Sequence, residues 1–538
     1  MLNQRATVPL PTSGIIIRRN GKYQYVFKVL RTFRNDKGQP TNTRVSIGRL
    51  DADGTKLIPN NNYFEYYEPG ESLSYASDYE SVISLGAAFV VDHILTKLGV
   101  TRFLDEALGR RRTQSVITAA TYMVCEGNVF DHITDWCENS LIGRSTLTPQ
   151  IASSLFASIT RDERMAFFKK WIRKHGLSGY FSYDVTSFSS YAEGIRDLEW
   201  GYNRDGDRLP QLNLGCYLAQ ESCLPMFYVT YPGSIVDKSY LPYMMIYNDE
   251  LGIGNSIIFV MDRGFCSTDN INYMHEAGLL YVMGADTRTK ATRAAIDEVI
   301  SSGNQLSLRY QVSDGVFAHS AHSRFFGEQT TLHIYHSPSL GDHQRSDLMR
   351  VIVNMEHELA QLRSLSEKER AHYSRYFDIA KSSKGLTYSR NYDRIDVATR
   401  YCGTFCILSN TDITIAEILR IFRRKDTIEK GFDDIKNHIE MKRLRAHSDA
   451  TIEGKLFCAF IALIAATVMT NKLRDYNETS SRRTMSKRKL ITELEKIRAC
   501  ETAGAKRLLH PLTKTQRELL ELFDASLDDI RLYVNQPE

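Results

Sequence analysis

The sequence has no apolar run long enough to cross a membrane and no closely paired cysteines. Its longest strongly apolar segment, residues 457–469, is 13 residues long, whereas a membrane-spanning helix needs about 20. The nine cysteines are scattered, odd in number and without a C-x-x-C pair, so the sequence indicates neither a disulfide framework nor a thiolate zinc site. Residues 1–14 lack the apolar core of a signal peptide. These absences predict a cytoplasmic protein that does not enter a membrane.

The net charge is small, but the charges are unevenly distributed. The whole chain carries +4, while residues 1–50 contain ten basic residues and a single acid. Residues 51–80 contain seven acids and one lysine, and a second basic cluster at residues 480–490 has five cations and no acid. Segregated positive segments of this kind are typical of proteins that bind nucleic acid, although a solvated surface has the same composition.

The hydrophobic pattern divides the chain into regions of different texture. Short alternating runs predict strands, and apolar residues at three- and four-residue spacing predict helices. We expect an α/β fold with a mixed five-stranded sheet and flanking helices. The predicted regions are a basic β-rich module (1–75), a helical region (80–178), an α/β domain in two parts (179–289 and 411–475), a β-rich insertion between those parts (290–410) and a basic helical tail (476–538).

Two aspartates are the first candidates for chemistry. Asp184 lies in the first predicted strand of the α/β domain, YFSYDVTSF, and Asp262 follows the buried run IIFVM of the fourth. In a mixed sheet of this order the first and fourth strands can lie side by side and parallel, which would make the two carboxylates neighbours. Close carboxylates repel unless a cation joins them, and Mg²⁺ prefers carboxylate oxygen. Paired metal ions stabilise the attacking and leaving oxygens of a phosphodiester, usually with a third carboxylate.

A helical segment in the second part of the α/β domain offers that third carboxylate. Phe422, Lys425, Glu429 and Lys436 fall within a stripe of about 60° when the chain advances by about 100° per residue. Glu429 would then stand between two lysines on the edge of a helix face that packs on the sheet. The alternative is an exposed helix stabilised by ion pairs.

These segments together resemble bacterial insertion-sequence transposases of the DDE type. The resemblance is to the group whose helix carries the signature Y-x-x-R-x-x-x-E-x-x-x-x-x-x-K, here with Phe for Tyr at 422 and Lys for Arg at 425. The motifs YDVTSF and VMDRGF are similar to the first and second catalytic segments of that group. The resemblance covers about residues 179–470 and implies a ribonuclease H-like domain interrupted by a β-rich insertion.

The resemblance also implies roles for individual residues. It implies that three carboxylates are the catalytic metal ligands, Asp184, Asp262 and Glu429, holding Mg²⁺ or Mn²⁺, with two ions expected. It implies DNA contacts at Phe422, Lys425 and Lys436. Arg263 either contacts DNA or pairs with a nearby acid.

The function that follows is metal-dependent DNA transposition. The protein would cut transposon ends at their terminal inverted repeats and join them to target DNA, by cut and paste. Double-stranded DNA would be its partner, and a nucleoid-associated homodimer its working form on that DNA. Two alternatives stay open: a ribonuclease H-like nuclease that does not join strands, and a DNA-binding derivative of a transposase that has lost catalysis.

Overall fold

The computed structural model of this protein describes most of the chain. The described residues are 7–21, 23–34, 38–51, 53–60, 62–67, 81–140, 146–176, 179–192, 195–201, 206, 208–254, 256–325, 328–382, 385–425, 436, 439, 441–446, 448–479, 484–501 and 507–535. The chain forms two compact units. The terminal unit comprises Met1–Ala87, Asn139–Gly143 and Thr492–Glu538, and the central unit comprises Ala88–Glu138 and Arg144–Ile491.

The basic N-terminal segment forms an antiparallel sheet. Its elements are β1 (Val8–Pro9), β2 (Ile15–Asn20), β3 (Tyr23–Arg34), β4 (Pro40–Leu50) and β5 (Lys56–Pro59), followed by α1 (Tyr63–Tyr66) and β6 (Ser81–Ser84). The first five strands pair in the order β1-β5-β4-β3-β2. Side chains alternate between the two faces of each strand, and Val26, Ile47 and Leu57 form a small core on one face. The basic side chains of these strands remain accessible to solvent.

A run of helices precedes the large sheet. They are α2 (Gly86–Leu98), α3 (Val100–Leu108), α4 (Arg110–Glu126), α5 (Ile133–Ser140), α6 (Pro149–Ser158) and α7 (Arg161–His175). Local sequence signals mark where two of these helices begin. Thr148 is the N-cap of α6, with Pro149 at the first helical position. Thr160 forms a capping box with Glu163 at the start of α7.

The α/β core has the topology that the resemblance implied. Its elements are β7 (Gly179–Ser189), β8 (Gln211–Ala219), β9 (Pro225–Pro232), α8 (Asp237–Leu251), β10 (Ile257–Met261), α9 (Thr268–Glu276) and β11 (Leu280–Ala285). The strands lie in the order β9-β8-β7-β10-β11, with β8 antiparallel to its two neighbours and with β10 and β11 parallel to β7. The mixed five-stranded, ribonuclease H-like sheet is therefore confirmed.

The insertion does not stop at the edge of this sheet but extends it. Its elements are α10 (Lys290–Ser301), β12 (Gln311–Ser313), β13 (Val316–Phe325), β14 (Glu328–His336), α11 (Pro338–Gln361), α12 (Glu367–Tyr373), β15 (Phe377–Ser382), β16 (Gly385–Arg390), α13 (Tyr392–Arg400) and β17 (Thr404–Ser409). Strand β17 pairs antiparallel with β11, and β14, β13 and β12 follow it, so the sheet has nine strands. Adding β17 covers the backbone edge of β11 that would otherwise stay unpaired. Helices alternate with the strands of the insertion, and the 24-residue α11 is among them.

The last part of the chain returns to the core and then ends outside it. Its elements are α14 (Ile415–Arg423), α15 (Asp449–Thr479), α16 (Lys487–Glu495), β18 (Arg498–Glu501), β19 (Arg507–Leu509), α17 (Lys514–Leu522) and α18 (Leu527–Val534). Strand β18 pairs with both β6 and β19. The prediction of a helical tail is therefore incomplete, because β18 pairs with β6, more than 400 positions earlier in the chain, and β19 pairs with β18.

Helix α15 is longer than the apolar run in the sequence indicated. Among the described residues it is the one helix that is long and apolar enough to cross a membrane by length and composition, and 89% of its most apolar 18-residue stretch is buried inside the protein. Burial of that kind is typical of a core helix, which passes the same length and composition test.

Candidate active site

The two predicted aspartates lie on neighbouring parallel strands. Met261 at the end of β10 is in register with Tyr183 of β7, so Asp262 and Asp184 are the next residues along the same pair of chains. Neighbouring strands are about 4.8 Å apart. The structure thus brings together two carboxylates that are 78 positions apart in the sequence.

The two carboxylates have different surroundings. Asp184 is buried, and its Oδ1 accepts a hydrogen bond of 2.8 Å from the backbone N–H of Val185. The side chain of Asp262 is 52% exposed, and its Oδ1 accepts a hydrogen bond of 2.8 Å from the N–H of Arg263. Burial, with Asp184 adding its charge, raises the pKa of the Cys216 thiol on the adjacent strand. Asp184 is therefore held in the sheet, whereas Asp262 is accessible to solvent.

Helix α14 places a cation on Asp262. Its buried residues, Ile418, Leu419 and Ile421, pack in the core formed by the sheet. Gln220 ties the helix to β7, since its Nε2 donates to Ile421 O at 3.0 Å and to Ser182 Oγ at 2.8 Å. With the helix fixed in this way, Lys425 just beyond its end brings its Nζ to 3.3 Å from Asp262 Oδ1. The ammonium group also lies 5.9 Å from the ring centroid of Phe422.

A glycine in β11 allows these groups to approach one another. A Cβ at Gly284 would lie 2.9 Å from the backbone N of Arg263 and 3.2 Å from Cζ of Phe422. Any larger residue would push Phe422 or the segment after Asp262 away. Two of the residues predicted to contact DNA, Arg263 and Phe422, are therefore close together at the side of the carboxylates.

A cleft of about 900 Å³ opens beside Asp262 and leads towards the insertion. Its lining contains five arginines: Arg263, Arg288, Arg293, Arg375 and Arg394. Phe422 and Phe405 contribute to its apolar part. The concentration of guanidinium groups around a site with few acids suits a phosphate backbone, because arginine binds phosphate with two parallel hydrogen bonds.

Asp286, which follows β11 at the cleft, is paired with an arginine. Its carboxylate accepts hydrogen bonds from Arg288 Nε and Nη2, and these bonds lower the pKa of Asp286 to about 2. Arg263 adds a smaller electrostatic effect in the same direction. Asp286 is thus a fixed anion that orients Arg288 in the cleft.

The remaining predicted site residues are only partly within the described chain. Glu429 falls in residues 426–435, which lie outside it, so its role stays a prediction. Lys436 is described as a half-buried residue. The described helix α14 ends at Arg423, so Lys425 acts from the segment after that helix rather than from its last turn. The continuous stripe from 422 to 436 is therefore not established by the described residues.

The donor chemistry of the site fits an oxygen-preferring divalent cation. Asp184 and Asp262 supply hard carboxylate oxygens from neighbouring strands, and such a pair is stabilised by a cation between them. No group of three or more His, Cys, Asp or Glu side chains suited to a metal occurs in the part of the chain that the structure describes. The third predicted ligand, Glu429, is outside that part.

Four cleft arginines were not found from the sequence: Arg288, Arg293, Arg375 and Arg394. They come from the loop and helix after β11 and from the far part of the insertion, as much as 132 positions after Asp262. Nothing in their local sequence distinguishes them from ordinary surface arginines. Only the fold of the insertion against the end of the sheet gathers them.

Comparison with known proteins identifies relatives of the central part of the chain. A family profile described as "Transposase DDE domain" matches residues 181–465, which is more than half of the sequence. No curated protein matched the chain. Among solved structures, the chain is similar to a piggyBac transposase in a synaptic complex with hairpin DNA, with 10% identity and a TM-score of 0.34 over 76% of this chain and 69% of that one. This second likeness is too distant to bear on function.

Proposed function

Because this chain belongs to the family of proteins with a transposase DDE domain, we propose that it cuts the DNA ends of its own mobile element and joins them to target DNA. The observation that carries the proposal is the pair Asp184 and Asp262 on parallel strands, with Lys425 bound to Asp262. Carboxylates that hold metal and a cation that meets phosphate are what phosphodiester chemistry requires. One site serves both steps, since each is the attack of an oxygen nucleophile on a phosphorus atom.

The metal would be held by Asp184, Asp262 and Glu429, and we propose Mg²⁺ or Mn²⁺ with two ions. A bound divalent cation polarises the scissile phosphate and activates a water molecule for attack. Asp184 contributes a carboxylate whose orientation is locked by Val185 and by burial. Asp262 contributes an exposed one that reaches the substrate side.

The basic residues around the carboxylates would hold the DNA. Lys425 offers an ammonium group within a few ångströms of Asp262, and Arg263 offers a planar guanidinium from an exposed position. Lys436 would contact the phosphates further along. Phe422, packed beside Gly284, would contact the sugar-phosphate backbone without the hydroxyl group of a tyrosine.

We assign the chain to the insertion-sequence transposases of bacteria with a YREK-type helix. The support is the spacing of Phe422, Lys425, Glu429 and Lys436 in the sequence. The corresponding substrates are the terminal inverted repeats of the element and a target duplex. A homodimer in the cytoplasm, associated with the nucleoid, would hold two ends at once, because a twofold interface presents two equal sites.

The test is a cleavage and joining assay on DNA that carries the sequences flanking this reading frame. Asp262→Asn, Asp184→Asn and Glu429→Gln should each lower cleavage by at least about 1,000-fold, since metal stabilisation of the transition state is worth several kcal/mol. Binding of the DNA ends should stay within a few-fold of wild type. Asp347→Asn is the matched control, because Asp347 is an exposed carboxylate paired with Arg350 on α11.

The outcomes separate the proposal from its alternatives. Cleavage at the normal rate by any of the three variants would remove that residue from the catalytic set. Cleavage by the wild type without joining in a strand-transfer readout would identify a nuclease. DNA binding without cleavage under Mg²⁺ or Mn²⁺ would identify a non-catalytic derivative.

A further inference from the structure

Three segments of the chain leave the sheet in the same direction beyond the end of β7. Ser189, the last residue of β7, forms a parallel bridge with Arg443. On the other side Ser189 pairs with Gln211 of β8, and Gln211 in turn forms an antiparallel bridge with Glu199. The segments that contain Arg443, Ser189 and Glu199 therefore run parallel to one another. At the end of the sheet these three segments lie side by side, and we call this arrangement the row. Ser189 and Glu199 are about 10 Å apart, because β8 lies between them.

Two aromatic side chains stand at the end of this row. Tyr191 is 75% exposed and Trp200 is 67% exposed. The guanidinium of Arg443 lies 5.7 Å from the ring centroid of Tyr191. Trp171, by contrast, is fully buried. Large exposed aromatic rings are unfavourable in water, and such a pair next to a cation is typical of a binding surface.

The backbone that carries these rings is fixed. A Cβ at Gly201 would lie 1.8 Å from Gly233 O, so the chain after Trp200 runs directly against the chain after β9. On the other side, Arg443 O accepts a hydrogen bond of 2.9 Å from Asn128 Nδ2. Rigid aromatic groups lose little conformational entropy when a ligand stacks on them, which favours binding.

The Tyr191 side of the row is basic, whereas Glu199 directly precedes Trp200 on the other side. Lys442 and Arg445 are exposed on either side of Arg443. Aromatic faces combined with cations are the usual means of binding single-stranded nucleic acid, in which phosphates meet the cations and bases stack on the rings. A duplex hides the faces of its bases within the stack, so the complementary ligand is unpaired DNA.

We propose that Tyr191 and Trp200, with Arg443 and its basic neighbours, form a stacking platform for unpaired bases of the DNA strand that passes through the active site. This inference rests on the proposed function, since it extends the path of that strand. Ser189 lies five residues beyond Asp184, which is roughly 17 Å along the strand. Because an unpaired strand is more extended than the roughly 3.4 Å per nucleotide of a duplex strand, the platform meets bases about three to five nucleotides from the scissile phosphate.

The first experiment measures binding of the full-length chain to a 20-nucleotide single strand of mixed sequence and to its duplex. Trp200→Ala and Tyr191→Ala should each weaken binding of the single strand by at least about 5-fold and leave duplex binding unchanged. Tyr243→Ala is the matched control, because Tyr243 is an aromatic residue on α8 with 60% exposure. Trp200→Phe should retain single-strand binding but lose the quenching of exposed tryptophan fluorescence that the oligonucleotide causes in the wild type.

A second experiment tests the position of the platform with the wild-type protein alone. The substrate is an element end with an unpaired tail beyond the cut, carrying one abasic site at a time. Abasic sites about three to five nucleotides from the cut should weaken binding, and those nearer the cut should not. A flat profile, or single-strand binding equal to wild type in both alanine variants, would overturn the platform. If the wild type does not cleave the element end, the proposed function is contradicted. The platform would still be tested by comparing single-strand binding of the wild type and the two alanine variants.

Discussion

At the scale of single residues, Lys425 is the cation whose surroundings most need an explanation. It is 7% exposed, yet its ion-pair partner Asp262 is half exposed. A buried ammonium group is unfavourable unless a partner and hydrogen bonds compensate for the lost hydration. Lys425 therefore provides a fixed positive charge at the rim of the site. A mobile lysine would lose side-chain entropy on binding a phosphate, whereas Lys425 is already ordered by burial and by its ion pair.

Lys425→Met should therefore separate catalysis from stability. Methionine is close to lysine in length and volume, so the free energy of unfolding should change by less than about 1.5 kcal/mol. Cleavage should fall by about 100-fold or more, because the variant has no charge next to the scissile phosphate. The slope of log affinity against log salt should become shallower by about 0.9. Anisotropy titrations across a salt series measure the slope.

Lys425→Arg is the matched control for this substitution. It keeps the charge but replaces a compact ammonium by a wide planar fork, so the salt slope should stay as in the wild type while cleavage falls less. Normal cleavage and an unchanged slope for Lys425→Met would remove Lys425 from the site.

At the scale of elements, the segment 441–446 is the part of the chain after α14 that contacts the core. It bridges β7 at Ser189 and is also held by hydrogen bonds from Asn128 and Lys455. Lys455 Nζ donates to Asn128 O at 3.2 Å and to Arg445 O at 3.1 Å. Arg445 has a positive φ of 46°, an unfavourable conformation for a residue with a side chain. The lysine of α15 thus secures a strained turn beside the proposed platform.

The buried lysine should give this segment a measurable pH dependence. Burial, with Arg445 adding its charge, lowers the pKa of Lys455 from 10.5 to about 8. Between these two values the folded protein binds fewer protons than the unfolded chain, so stability rises with pH through this window. Compared with Lys455→Met, the wild type should gain about 2 kcal/mol in the free energy of unfolding between pH 8 and 10.

Denaturant titrations of both proteins across this pH range provide the measurement, and the difference between them removes the contribution of other titrating groups. Below about pH 7 the difference should be constant, because Lys455 is then charged in both states. If the free energies of unfolding of the wild type and Lys455→Met change equally from pH 8 to 10, then Lys455 has an ordinary pKa and solvent reaches it.

At the scale of the whole molecule, the terminal unit carries an excess of positive charge on one sheet. Some of its cations pack on aromatic rings, as Arg49 does over Tyr23 and Arg44 over Phe27. Others are exposed on β2 and β3: Arg18, Arg19, Arg31 and Arg34. The stacked cations stabilise the sheet, whereas the exposed ones are available to a polyanion.

Replacing the four exposed arginines by glutamine in the full-length chain should weaken binding to element ends. The salt slope should decrease by up to about 3.6, which is about 0.9 for each phosphate that the variant no longer neutralises. Thermal stability should hardly change, since the substitutions are on the surface. A matched control with Arg102→Gln and Arg350→Gln removes exposed cations that are paired with acids. If the four-arginine variant and the control have the same salt slope, the sheet does not contact DNA through these arginines.

The sequence predicted the α/β core well because its strands are marked by local signals. The uninterrupted apolar run of β10 and the position of Asp262 directly after it are visible without a structure. The nine-stranded sheet was not visible, because the pairing of β17 with β11 joins backbone groups more than 120 positions apart, and backbone pairing has no side-chain signature. The ion pair between Lys425 and Asp262 was missed for the same reason, although both residues were named.

By itself, then, the sequence determined which chemical groups are present and which of them belong to strands or helices. Residue type and short-range spacing are local properties, and Asp184, Asp262 and Lys425 could be chosen from them. Strand order also predicted that Asp184 and Asp262 are neighbours, but only the tertiary structure showed that Lys425 contacts Asp262. The arginines of the cleft and the row that ends in Tyr191 and Trp200 also depend on contacts between distant parts of the chain. Such contacts arise from burial and backbone hydrogen bonding over the whole fold, which no short stretch of sequence encodes.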